Sequence, residues 1–134
     1  MPASDGFGDP QVSWVVEADG TRILHAGDTL FHGAWWLIAM RCGPIDIAFL
    51  PVNGAVADLP HRQPPSPLAA CMDPHQAAVA ATLLRARRAV PIHYGAIHSP
   101  PKYAEVDDPA GTFAAAARTA GVAAQVVPVG EAVA

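Results

Sequence analysis

Two alanine-rich segments each begin with Asp-Pro and run on into a short apolar stretch, an alternation that limits the possible folds more than any other feature. In "MDPHQAAVAATLLRARR", Asp73 is placed as N-cap, Pro74 at the first helical position, and Gln76 where a capping box needs its amide. Ala77, Ala80, Ala81 and Leu84 form a stripe of small residues that lets this helix approach a sheet closely. The strand predicted at 89–92 follows, with His93 at its carboxyl end. Asp108 and Pro109 repeat the start signal, Gly121 stops the second helix, and "VAAQVVPV" is the last strand.

Upstream, "QVSWVVEADGTRILHAG" reads as a β-hairpin closed by Asp19-Gly20. Its return strand puts Ile23 and His25 on one face. Leu24, Ala26 and, if alternation persists, Asp28 fall on the other, which makes His25 a structural residue. "HGAWWLIAMRCG" is expected to be helical, ended by Gly43, with Trp36, Met40 and Ile38 toward the core. "PIDIAFLPVNG" fits a strand buried on both faces, with Asp46 as a turn or cap residue at its start. Residues 55–71 carry four prolines and read as an irregular loop, either a lid or a linker. From residue 45 the order is β-loop-α-β-loop-α-β, which calls for an α/β layer with right-handed crossovers.

Charge and cysteine content narrow the partners. The net charge is −4, and the only basic cluster is Arg85, Arg87 and Arg88. At the end of a predicted helix those cations favour the macrodipole, so charge argues against nucleic acid as a partner. Two cysteines, Cys42 and Cys71, without a C-x-x-C pair fit a reduced, cytoplasmic protein. No apolar run approaches the ~20 residues of a membrane span, and "MPASDGFGDP" lacks the regions of a signal peptide. Only 15% of residues are charged, below the usual quarter, so part of the surface is expected to meet another surface.

In open α/β sheets ligands sit outside the carboxyl ends of strands. Asp28, in Gly27-Asp28-Thr29, and His93, before Tyr94-Gly95, both fall there, as does Asn53. Each has two readings: a turn residue and a satisfied loop histidine, or a carboxylate and an imidazole sharing a divalent metal. His32 follows Asp28 closely and is a further metal candidate. Trp35 and Trp36, with Asn53, are candidates for walling a substrate pocket, against the reading that the tryptophans are simply core.

Taken in order, "ILHAGDT", "IDIAFLPVNG" and "MDPHQAAVAATLLRARRAVPIHYG" resemble the metallo-β-lactamase fold hydrolases. The likeness is greatest to the branch with the ascorbate-6-phosphate lactonase-like and N-acyl phosphatidylethanolamine phospholipase D-like enzymes. The resemblance implies an αβ/βα sandwich of two similar halves, with a mixed sheet and covering helices in each half. It implies that Asp28 bridges two metals and that His93 binds the second. It also implies that zinc, or alternatively manganese or iron, activates water against an ester, lactone or phosphodiester of a small-molecule substrate.

The sequence departs from that family in one respect. His-x-His-x-Asp-His is absent, and none of the six histidines here reproduces it. Asp5 stands where the family places a further histidine, as a substituted ligand or a terminal residue. Residues 1–134 therefore read as a single partial domain, the C-terminal half of the sandwich, expected to bind metal weakly alone. That half should present an apolar sheet face to a missing N-terminal half or to another copy of itself. The alternative is a non-catalytic α/β module that self-associates or pairs with another subunit.

Overall fold

The computed structural model describes residues 12–61 and 63–133. The first element is the expected hairpin, β1 (Trp14–Ala18) and β2 (Thr21–His25), paired antiparallel. Asp19 and Gly20 both take positive φ, 51° and 74°, as a two-residue hairpin turn requires. Next come α1 (Trp35–Cys42), β3 (Ile47–Pro51), β4 (Val56–Ala57) and α2 (Pro74–Leu83). They are followed by β5 (Arg88–Ile92), β6 (Tyr103–Ala104), α3 (Pro109–Thr119) and β7 (Ala123–Ala124).

The main sheet has the order β1-β2-β3-β5-β7, and every pairing after the hairpin is parallel. The strands advance in one direction across the sheet. Right-handed crossovers along such an advance place every connecting helix on the same face. The core lies there: Trp35 of α1, Ala77, Ala80 and Ala81 of α2 and Phe113 of α3 pack with Leu24, Ala48, Leu50 and Ala89 of the sheet. The alanine stripe is fully buried, as its spacing predicts. The fold is thus the expected α/β class, with a mixed sheet and covering helices.

The opposite face differs from the sequence expectation. In β3, Ala48 and Leu50 are buried but Ile47 and Phe49 are only half-buried, so the strand is not covered on both sides. The register sets Trp14, His25, Phe49 and Val90 side by side on that second face, with Val16, Ile23 and Ile47 in the next row. Trp14 is 65% and Val16 55% exposed. Residues 126–133 run over part of the face and with Phe49, Val90 and Ile92 line an open groove of about 610 Å³. A continuous apolar run reports that a strand can be buried twice, and only the layers decide whether it is.

Other boundaries shift for similar reasons. In α1 the residue facing the core is Trp35, with Ile38 and Cys42 packed beside it, whereas Trp36 and Met40 point outward. The apolar character of α1 on all sides hid which stripe faces the sheet. Helix α2 ends at Leu83, and Arg85 turns the chain with φ 53°, so the arginines lie beyond the helix end. Arg87 reaches the Asp46 carboxylate at 3.2 Å and Arg88 the Gln125 side-chain oxygen at 3.2 Å. Asp46 also accepts from the Arg22 backbone amide at 2.9 Å, fixing the start of β3 against β2. That hydrogen bond is the leading reason its carboxyl titrates below its ordinary range.

The start of α2 has the anticipated capping box. The Asp73 side chain accepts from the Gln76 amide at 2.8 Å, and the Gln76 side chain accepts from the Asp73 amide at 3.2 Å. Asp73→Ala should lower the unfolding free energy by about 1 kcal/mol, read as a reduced urea midpoint at unchanged slope.

Candidate metal centre

The carboxyl ends of β2, β3 and β5 lie side by side, and the loops that leave them build one rim. Gly27, at φ 71°, breaks the alternation after Ala26. Asp28 therefore does not follow Leu24 and Ala26 into the core but stands exposed at the rim. Thr29 is buried behind it, and its carbonyl accepts from the Met72 amide at 3.0 Å. Gly54, at φ 52°, donates its amide to the Met72 carbonyl at 2.9 Å. A Cβ on Gly54 would lie 2.9 Å from the Val106 side chain and 3.0 Å from that of Asp73. Only glycine lets the loop after β3 lie this close to the start of α2.

These two ties hold the segment before α2 beneath the rim and bring Cys71 into it. From β5, His93 arrives in the left-handed region, φ 59°. A non-glycine residue there costs roughly 1–2 kcal/mol, a strain typical of functional positions. The imidazole Nε2 lies 3.4 Å from Asp28 Oδ1. One donor atom each from Asp28, Cys71 and His93 all fall within 4.8 Å of one another. Asp28 and His93 are exposed and Cys71 is buried, so the group is closed underneath and open to solvent above.

The Cys71 thiol is pushed up to about 12, first by burial and then by the neighbouring Asp28 carboxylate. Tyr103 is also raised, mainly by burial, and the negative charges of Asp28 and Cys71 add to the shift. Its hydroxyl therefore shares their electrostatic neighbourhood. Asn53, 1% exposed, donates to the Tyr103 hydroxyl at 2.9 Å and accepts from the Ala55 amide at 3.1 Å.

The residues singled out from sequence separate into groups. Asp28 and His93 come together. Asn53 sits beneath the rim with its amide engaged by Tyr103 and Ala55. His32 is stacked on Trp35, ring centroids 4.3 Å apart and 10° from parallel, with Nδ1 accepting from the Ala34 amide. Burial lowers its pKa, and it is not one of the three clustered donors. Trp35 is core and Trp36 faces outward. Asp5 lies outside the described residues. His25, as expected, stays apart: its Nδ1 accepts from Gly27 and its ring stacks on Phe49. Sequence reasoning missed Cys71 and Tyr103, both within or after proline-rich loops. The one legible signal for Cys71 is its place two residues before the helix cap Asp73.

The donor set is suited to a metal. Carboxylate oxygen, imidazole nitrogen and cysteine sulfur are the three protein donors of zinc. Two ligands about 2.0–2.1 Å from a tetrahedral zinc lie about 3.3 Å apart, close to the 3.4 Å between Asp28 and His93.

Comparison with known proteins agrees with this fold. The beta-lactamase superfamily domain matches residues 3–94, and the chain belongs to that family. A UPF0173 metal-dependent hydrolase of Thermococcus kodakarensis is 38% identical over 95 residues, 69% of this chain and 36% of that protein. One of Rubrobacter xylanophilus is 38% identical over 90 residues, 66% and 31% respectively. Among solved structures, a metallo hydrolase from the hyperthermophilic archaeon Ignicoccus hospitalis superposes with a TM-score of 0.66 at 27% identity, covering 89% of this chain and 43% of its own. A metallo-beta-lactamase fold protein of Bacillus subtilis, at 10% identity and TM-score 0.57, shares the fold and covers 86% of this chain and 40% of its own. The chain thus spans little more than a third of the length of the first of these relatives. Homologues named as metal-dependent hydrolases place this chain among metallo-hydrolase relatives, and no helix of the described residues is long and apolar enough to cross a membrane.

A buried, protonated thiol is a poor nucleophile. Iodoacetamide at pH 8 should modify Cys42 well before Cys71 in the native metal-free chain and both equally after denaturation, read by peptide mass. Equal native rates would contradict the burial of Cys71.

Proposed function

We propose that the chain is the C-terminal half of a metal-dependent hydrolase, a single partial domain over residues 1–134. In this reading Asp28 and His93 hold a divalent cation, zinc first, with manganese or iron as alternatives. The carrying observation is the 3.4 Å approach of an Asp and a His from two different strand ends. When bound, such a cation lowers the pKa of a water toward about 7 and polarises the bond under attack. Asp28 supplies the charge that balances it, and His93 offers a neutral imidazole nitrogen. The Asn53–Tyr103 pair presents a neutral hydroxyl near the same rim, suited to orienting an oxygen of the substrate. The substrate class we favour is a small lactone, ester or phosphodiester, opened by water in the cytoplasm. In the complete two-metal site, Asp5 and His32 are the further residues of this chain to examine as ligands, and the exposed Trp36 as a pocket wall.

The apolar sheet face carrying Trp14 and Val16 supports a role for the chain as half of a larger unit, since patches of this kind mark interaction surfaces. In the proposed protein an N-terminal half covers it. The second reading is a non-catalytic module in which another copy or a different subunit covers it, with the rim residues serving only as turn and loop groups.

Elemental mass spectrometry on the purified protein and on Asp28→Ala and His93→Ala separates the two. The hydrolase reading expects bound transition metal to fall at least about tenfold in both variants, with hydrolysis of lactone and phosphodiester substrates lost alongside. Metal content and turnover indifferent to both substitutions would sink it.

A further inference from the structure

We infer that Cys71 is a direct metal ligand, so that Asp28, Cys71 and His93 form a three-donor zinc site that this chain completes by itself. The inference rests on the reading of Asp28 and His93 as ligands and deepens it. With only those two residues the chain would hold metal weakly. The third donor changes both the affinity and the choice of metal.

The geometry points the same way from three sides. The Sγ of Cys71 falls within 4.8 Å of both an Asp28 oxygen and a His93 nitrogen. Closing that separation to ligand–ligand contact asks only for movement of about 1 Å and side-chain rotation, because zinc–sulfur bonds are about 2.3 Å long. The sulfur approaches from below, buried, while the carboxylate and imidazole approach from the exposed rim. Three protein donors on one side with solvent on the other are the arrangement of a catalytic zinc site that keeps one open position.

The position of Cys71 is also enforced. Its neighbour Met72 is held through both backbone groups, its amide on Thr29 and its carbonyl on Gly54, and the Ala70 amide donates to the Ala55 carbonyl at 2.7 Å. The sulfur is therefore delivered to the carboxyl ends of β2 and β3 by backbone pairing on either side of it.

The consequence is selectivity. A thiolate is a soft donor that favours zinc over manganese or magnesium, which prefer all-oxygen sites. Coordination takes the thiolate form, so binding releases the thiol proton to solvent.

Cobalt(II) substitution on the 134-residue chain is the test, because a cobalt–thiolate bond gives a strong near-ultraviolet charge-transfer absorption that oxygen and nitrogen ligands do not. One equivalent of cobalt should produce that band in the parent chain and in Cys42→Ala. The band should be absent in Cys71→Ser and in Cys71→Ala, with circular dichroism unchanged. Loss of an outer-shell partner already costs 10–100-fold in metal affinity, so loss of a direct ligand should weaken zinc binding at least about 100-fold. Preference for zinc over manganese should narrow in the same variants. Cobalt and zinc bound with no thiolate band, with Cys71→Ser at parental affinity and Asp28→Ala and His93→Ala both impaired, would overturn the role of Cys71 and leave the metal reading standing. Binding that is absent, or indifferent to Asp28→Ala and His93→Ala, would overturn both.

Discussion

The parallel pairing of β2, β3 and β5 is the constraint on which the rest of the molecule depends. Parallel strands put their carboxyl ends on the same edge, so three loops of unrelated sequence must leave the sheet within a few ångströms of each other. Parallel strands also need crossovers, and three crossovers of one hand, advancing one way, bring all three helices to a single face. The rim that carries Asp28 and His93 and the apolar face left without a helix are therefore two consequences of the same topology.

Rigid pairing alone does not aim side chains, and the rim shows where local conformation is bent to do so. Gly27 turns Asp28 out of the strand alternation, and His93 accepts a left-handed backbone that most residues avoid. Gly54 lets the β3 loop press against the cap of α2. Each departs from regular geometry at the carboxyl end of a strand, while the strands themselves stay regular. Strain of this kind persists only where surrounding structure over-determines it. Here the surrounding structure is the hydrogen-bonded tie of Thr29, Gly54 and Met72.

The relatives that share this fold are about twice as long as this chain. A sheet with helices on one side leaves its other face open, and exposed Trp14 and Val16 are costly residues to leave in water. Under the proposed reading, the N-terminal half covers the open face. The buried Cys71 gives the site a floor that does not depend on that cover.

Local structure was legible because its signals are local. Asp73 and Gln76 are three residues apart and cap the helix they begin. Asp19-Gly20 closes the hairpin because few other pairs accept positive φ twice. The α/β order and the placing of Asp28 and His93 at strand ends follow from such signals read in sequence. What the sequence left open depends on contacts between distant segments. Trp35 and Trp36 are adjacent and chemically identical, and only the position of α1 against the sheet buries one and exposes the other. Cys71 lies 43 residues from Asp28 and 22 from His93, in a loop with no periodicity. Its meeting with them is decided by backbone hydrogen bonds from Met72 to Thr29 and Gly54, which any residue types can make and no side-chain pattern announces. Elements are set by neighbours along the chain. The site is set by which strand ends the sheet places side by side, and that is a property of the tertiary structure alone.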